Sequence, residues 1–281
     1  MSSRRRAWNK LLQDRSGMIG LLIVGAFLIA AIGVWLGAWG QDWAAAAGGR
    51  WQPPDDEYWF GTNVLGQDIF ERALYSVRTA FEIGLVVAVL ATVLGAVLGA
   101  AAGWYSETWI DGGILWLKGV LDSIPFYLFV AAVAYALQGQ AWAMHLAMVA
   151  TFWTTTGRLV RAEVLKLKSR EFVLAARVTG LPGPLILARH VLPNCSHILL
   201  VQATLAFVAA IKTEVVLSFL GLGVQDGVSW GLMLAESTQE VLAGQFANFL
   251  SASLMLFVLL MGFNLLADAM QDAMDPRQTA L

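Results

Sequence analysis

Ionisable residues set inside apolar runs are where this chain of 281 residues could do chemistry. Asp122 follows Lys118 by four residues, just ahead of Pro125, so the pair can meet on one helix face beside a kink, or the carboxylate can line a polar pathway. Lys212 and Glu214 stand two apart, hence on different faces of a helix, near an outer end where the lysine can snorkel and either group can serve a gate. His145, His190 and His197 lack the paired spacing with glutamate that a membrane metalloprotease needs. No Gly-x-x-x-x-Gly-Lys-Ser/Thr segment occurs, so the sequence offers no phosphate cradle and any ATP is used elsewhere. The single cysteine, Cys195, excludes an internal disulfide and argues against a Cys-based zinc site.

Composition says what must hold these groups. The chain is 58% hydrophobic and 14% charged, with 12 Trp, whereas a soluble domain carries roughly a quarter charged residues. The expected fold is therefore an all-α polytopic membrane protein of about six transmembrane helices. The apolar runs predict spans at about 17–39, 81–103, 114–137, 141–159, 195–218 and 249–267, following a basic tail at 1–16 and forming one membrane domain over 17–281. The first run, at about 20 residues, exceeds the roughly 7–15 of a signal core, so it reads as a retained span rather than a cleaved leader. Gly95, Gly99 and Gly103 recur every four residues, a stripe that lets a neighbouring backbone approach closely. Of the 18 Lys and Arg, 13 fall in the N-tail, the C-tail and the central loop with its flanking Arg158. By the positive-inside rule these segments, and so both termini, are cytoplasmic.

The central loop, 160–194, is the long basic interruption of the second half. Within it Ser169 can cap a helix, Glu171 suits the first turn, Gly180 suits a left-handed stop and Pro182 forbids continuation. That makes a helix of about three turns, too short to span a bilayer. Phe172, Ala175, Ala176 and Thr179 recur at helical spacing and make a patch of small residues with one aromatic knob, able to enter a groove.

At this point the residues resemble a known family. Ala175, Ala176, Gly180, Leu192 and Pro193 match the spacing of the coupling loop of ABC-importer membrane subunits, with Leu174 where Glu is usual and His190 where Ile is usual. Glu171, one turn earlier, is the substitute carboxylate. Gly61-Thr62-Asn63-Val64-Leu65-Gly66-Gln67-Asp68 is similar to the Leu-Gly-Thr-Asp-x-x-Gly-Arg-Asp signature of the dipeptide, oligopeptide and nickel branch, and Asn63 and Gln67 each lose a charge relative to it. The segment from Phe219 to Gln225 followed by Trp230-Gly231-Leu232-Met233-Leu234 looks like another signature of that branch without its usual prolines, and reads as a re-entrant or outer-face segment. Asp275-Pro276-Arg277 is similar to the branch's terminus.

The resemblance implies the C-type permease of a peptide or nickel importer in a bacterial or archaeal cytoplasmic membrane. It also implies a second homologous permease, two ATPase subunits or domains that use ATP and Mg, and an external solute-binding protein. No cofactor, metal or nucleic acid is implied for this chain, nor any catalysis of its own. Glu171, Phe172, Ala175, Ala176, Arg177, Gly180, Leu192 and Pro193 are the expected ATPase-coupling residues, with Phe172 and the Ala175-Ala176 patch in the ATPase groove. Asp122, Lys212 and Glu214 are the pathway or gate candidates. Two other readings remain: a proton-coupled carrier titrating Asp122 or Glu214, and a non-transporting scaffold or enzyme.

Overall fold

The computed structural model describes residues 10, 12–137, 140 and 142–274. Arg4, Arg5 and Arg6 of the basic tail, Ala141 and the Asp275-Pro276-Arg277 terminus lie outside the described residues.

The described chain is helical, with two isolated β-bridges in the loop before the second helix. Helix α1 is Arg15–Trp35, capped by Asp14, whose carboxylate accepts from Gly17 N at 2.8 Å. Helix α2 is Ile69–Trp104, 36 residues long. It starts a dozen residues before the expected second span because Asp68 caps it, its Oδ1 accepting from Phe70 N at 2.8 Å. At 1.5 Å per residue it is about 54 Å long, well beyond the ~30 Å hydrocarbon core.

The expected third span is not one straight helix. Helix α3, Trp109–Ser123, and helix α4, Phe126–Ala136, meet at a bend of 90°. Pro125 starts α4 with its fixed φ and has no N–H to extend the α3 ladder, so the chain turns there. Helix α5, Ala143–Leu167, runs past the expected limit of its span into the basic loop. The rest of that loop holds α6 (Glu171–Val178) and α7 (Gly183–Ile186), a wide π-type turn at Leu187–Val191 and a tight turn at Leu192–Cys195. Pro193 cannot donate in this stretch, and Asn194 Nδ2 donates to the His190 carbonyl at 2.6 Å. Helix α8 is Ser196–Phe219, α9 is Trp230–Leu242 and α10 is Ala247–Met274.

Among the described residues four helical stretches are long and apolar enough to cross a membrane: Arg15–Trp35, Ile69–Trp104, Gly183–Phe219 and Ala247–Ala273. The bent α3–α4 pair would make a fifth. Helix α5 has the length, but its second half carries Arg158, Arg161, Glu163 and Lys166.

Packing follows the glycines. An ideal Cβ on Gly95 would stand 2.6 Å from Thr156 Cβ, one on Gly99 would strike the Gly157 backbone, and one on Gly103 would stand 2.8 Å from Val164 Cβ. Only glycine lets α2 and α5 meet at this separation, and such close backbone approach supplies dispersion that lipid cannot compete with. Helices α1 and α10 do the same at Gly20, where a Cβ would lie 2.7 Å from the Gly262 carbonyl. Next to Gly262 along α10, Phe207 stacks on Phe263 at 4.0 Å, with Phe81 edge-on to Phe207 at 5.4 Å.

The termini of the described chain share one end of this bundle, since Lys10 Nζ donates to the Asp272 carbonyl at 2.8 Å. Helix α1 hands over to α2 at the opposite end, where Gly40 lies against Tyr75. Trp104, and the α6 segment beyond α5, therefore return to the end that holds the termini.

Candidate functional site

Helix α6 is two turns rather than three, because its start and its face both differ from expectation. Ser169 does not cap it: its hydroxyl donates back to the Lys166 carbonyl at 3.1 Å, and Arg170, in extended conformation, is the residue that precedes the first turn. The stop is as the sequence indicates. Gly180 has φ +77, Gly180 N donates to Arg177 O at 2.9 Å and Leu181 N to Ala176 O at 3.3 Å, the paired bonds that close a helix on a left-handed residue.

The helix divides its side chains cleanly. Val173 and Ala176 point inward and pack with Trp104, Val160, Val164, Leu167, Ile186, Val191 and Cys195. Glu171, Phe172, Leu174, Ala175 and Val178 are exposed, Val178 at 88% of its free surface. This corrects the expectation that Ala176 shares an outward patch with Phe172 and Ala175. A 100° step per residue puts 173 and 176 together, opposite 171, 175 and 178. Leu192 packs at the margin of the inner cluster, while Pro193 and Gly180 are exposed.

Three contacts clamp this segment to the ends of the long helices. Arg177 lies over the ring of Trp104, its Cζ 5.0 Å from the centroid. Lys168 Nζ donates to the Trp104 carbonyl at 2.6 Å and to Ser106 Oγ at 3.2 Å. Gly183 abuts the indole, with 2.8 Å between an ideal Cβ and Trp104 Nε1. Trp104 is buried at the centre of this joint. Beside it Arg161 grips Asp111 through two parallel bonds, Nε to Oδ1 and an Nη to Oδ2, each 2.8 Å. Asp111 also accepts from the N–H of Glu107, whose φ of +66 closes the turn between α2 and α3. These partners lie up to 79 residues apart in the chain, so only the basic character of the loop hinted at them.

The pathway candidates separate. Lys118 and Asp122 pair with each other on an exposed face of α3. Lys212 is exposed and Glu214 buried, on different faces as their spacing requires. Glu214 Oε1 accepts from Ser218 Oγ and Ser229 Oγ, both at 2.5 Å, which ties α8 to the start of α9.

At the same end, the loop before α2 forms a polar lattice that sequence reasoning did not find. Asn63 Nδ2 donates to Gln67 Oε1 at 2.8 Å, and the same Oε1 accepts from Arg72. Arg72 pairs with Glu236 of α9 at 2.5 Å, and Val64 N donates to Glu240 at 2.8 Å. The segment expected to be re-entrant or at the outer face is a loop followed by α9, and these bonds lock α9 onto the start of α2.

Residues 92–280 match the family described as binding-protein-dependent transport system inner membrane component. The chain belongs to this family. It is an ABC-transport permease of the C-type and a multi-pass membrane protein, and its system includes a solute-binding protein and ATPases. Similar proteins include the dipeptide transport system permease protein of Alkalihalophilus pseudofirmus, 35% identical over 99% of this chain and 91% of the relative. The oligopeptide transport system permease protein of Mycobacterium bovis is 36% identical over 82% of this chain and 79% of its own. The dipeptide permease of Bacillus subtilis is 32% identical over 99% and 87%. The family match takes in α6, its clamp and α9, and begins after the Asn63–Gln67 lattice.

Proposed function

We propose that this chain forms half of the translocation pathway of an ATP-driven importer of short peptides and that α6 is the helix through which partner ATPases move it. The exposed apolar face of α6, Phe172, Leu174 and Val178 beside Glu171, carries the reading. A two-turn helix with such a face, held against the chain by Val173 and Ala176, is built to be gripped from outside. A second homologous permease completes the pathway and two ATPase subunits or domains bind and hydrolyse ATP with Mg. An external solute-binding protein delivers the peptide. The termini and α6 face the cytoplasm of a bacterial or archaeal cell. ATP-driven closure of the ATPases displaces α6, and the Trp104 joint passes that displacement to α2 and α5 as a rigid-body rocking step. The peptide assignment is supported by relatives that carry peptide-permease names along nearly the whole chain.

The test is reconstitution with the cognate subunits in liposomes. ATP-dependent uptake of a labelled dipeptide is expected, together with a disulfide cross-link from Val178→Cys, in a Cys195→Ser background, to the ATPase. Uptake that survives removal of the ATPase, or a Val178→Cys that reacts only with reagents from outside the cell, would overturn the reading.

A further inference from the structure

A cavity of about 220 Å³ opens at the end of the bundle remote from α6, between α2, Gln140 with the start of α5, and the loop after α8. Arg78, Glu82, Gln140, His145, Gln225 and Asp226 supply its polar lining. Arg78 is 26 residues before Trp104, so it stands about 39 Å along α2 from the joint with α6, more than the ~30 Å hydrocarbon thickness. The glycine-rich loop that gives the cavity one wall, Gly221 to Asp226, holds its shape through a left-handed Gly221, φ +73.

We infer that this cavity is a binding site for a dipeptide zwitterion, entered after delivery and before passage through the bundle; the inference rests on the peptide reading above. Both charge signs line one small space, which a neutral or singly charged solute would not need. The Arg78 guanidinium is held by the Tyr75 ring, 5.4 Å from its Cζ, and by a long 3.8 Å approach of Nε to Glu82. Its terminal amino groups make no hydrogen bond among the described residues, so the planar fork is free to take a carboxylate through two parallel bonds. Glu82 and Asp226 are the counterparts for an α-ammonium, and the Gln140 and Gln225 amides can meet the peptide bond between the two charges. The volume lies below the roughly 300–1,000 Å³ of a drug-sized pocket. It suits two residues held at both termini.

The test uses the assembled transporter in lipid nanodiscs without its binding protein, exposed to a dipeptide that carries a diazirine side chain and free termini. Photolabelling is expected on segments 75–83 and 221–226, with competition by unlabelled dipeptide and none by its C-terminal amide. Arg78→Gln is expected to cut labelling at least about tenfold, the scale of a lost charge-assisted bond, and Arg78→Lys to restore part of it in an equally well-assembled complex. Labelling elsewhere, or labelling indifferent to Arg78→Gln while the wild type still imports dipeptide, overturns the cavity site and leaves the peptide reading standing. A wild-type transporter that imports no dipeptide with ATP and binding protein overturns both.

Discussion

Arg177 rests on the face of Trp104, and through this contact the last turn of α6 sits on the last turn of the longest helix in the chain. Lys168 holds the carbonyl of the same tryptophan from the end of α5. A force applied to the exposed face of α6 thus reaches α2 and α5 together, and those two helices are joined through the Gly95, Gly99 and Gly103 contacts into one stiff unit.

Removing the cation should loosen that joint without emptying it. Arg177→Gln leaves the Trp104 ring in its apolar surroundings and loses a cation–π contact worth about 0.5–1 kcal/mol at an exposed guanidinium. The expected outcome is a transporter that assembles normally but hydrolyses severalfold more ATP per solute moved. An unchanged ATP-to-solute ratio in proteoliposomes would show that Arg177 carries no force.

The two faces of α6 should respond oppositely to substitution. Ala176→Trp drives a large ring into the closed cluster around Val173 and Val191 and is expected to destabilise the permease by at least about 1–3 kcal/mol, the usual range for overpacking. Val178→Asp, on the exposed face, should leave melting of the isolated permease within about 0.5 kcal/mol and weaken ATPase association about tenfold or more. Thermal unfolding in detergent and ATPase pull-down separate the two; equal melting losses would contradict the division of faces.

Gly99 makes a third expectation. The added methyl of Gly99→Ala meets the Gly157 backbone, which cannot rotate away, so α2 and α5 must separate along their length. A loss of about 1–3 kcal/mol is expected, against little change for Gly112→Ala, whose Cβ has open space. Comparable melting temperatures for the two variants would mean that the helices are not held this close.

Much of this was legible in the sequence, and the parts that were not share a cause. The glycine stripe, the Lys118–Asp122 pair, the left-handed Gly180 and the break at Pro125 are local, fixed by spacing or by one residue's backbone. The inward turn of Ala176 was hidden because Val173 and Val178 are chemically alike, and only the tertiary cluster decides which is buried. The Asp111–Arg161 grip, the Arg72–Glu236 bridge and the cavity around Arg78 each join segments dozens of residues apart. Nothing in local periodicity encodes such partners.

Asp55 gives the loop before α2 a pH response of known sign. The backbone N–H of Tyr58 at 2.7 Å, then the Gln52 amide and the N–H of Glu57, hold its carboxyl below the ordinary 3.8. A carboxylate depressed in the folded state adds stability above its unfolded pKa, and loses that contribution as pH falls through the folded value. Hydrogen exchange across residues 55–61, corrected for intrinsic rate, should therefore accelerate below about pH 4 in the wild type. In Asp55→Asn the exchange should already be fast at neutral pH and show no such step; a step of equal size in the variant would place its origin elsewhere.

The Asn63–Gln67 bond explains two departures that looked independent in the sequence. The signature resembled by this loop carries an acid and a base at these positions, and here both are replaced by amides that hydrogen-bond to each other at 2.8 Å. The exchange keeps one donor and one acceptor facing each other while removing two charges, so the site stays satisfied only if both positions change together. Asn63→Asp alone would turn an oxygen toward Gln67 Oε1, and a Gln67 flip to relieve it would take away the acceptor that Arg72 uses. Gln67→Arg alone would set a second guanidinium beside Arg72 with Glu236 already engaged. The double variant restores an ion pair, and its cost should fall short of the summed single costs by at least about 1 kcal/mol in a double-mutant cycle on thermal unfolding. Additive costs would mean that the two amides were replaced for unrelated reasons.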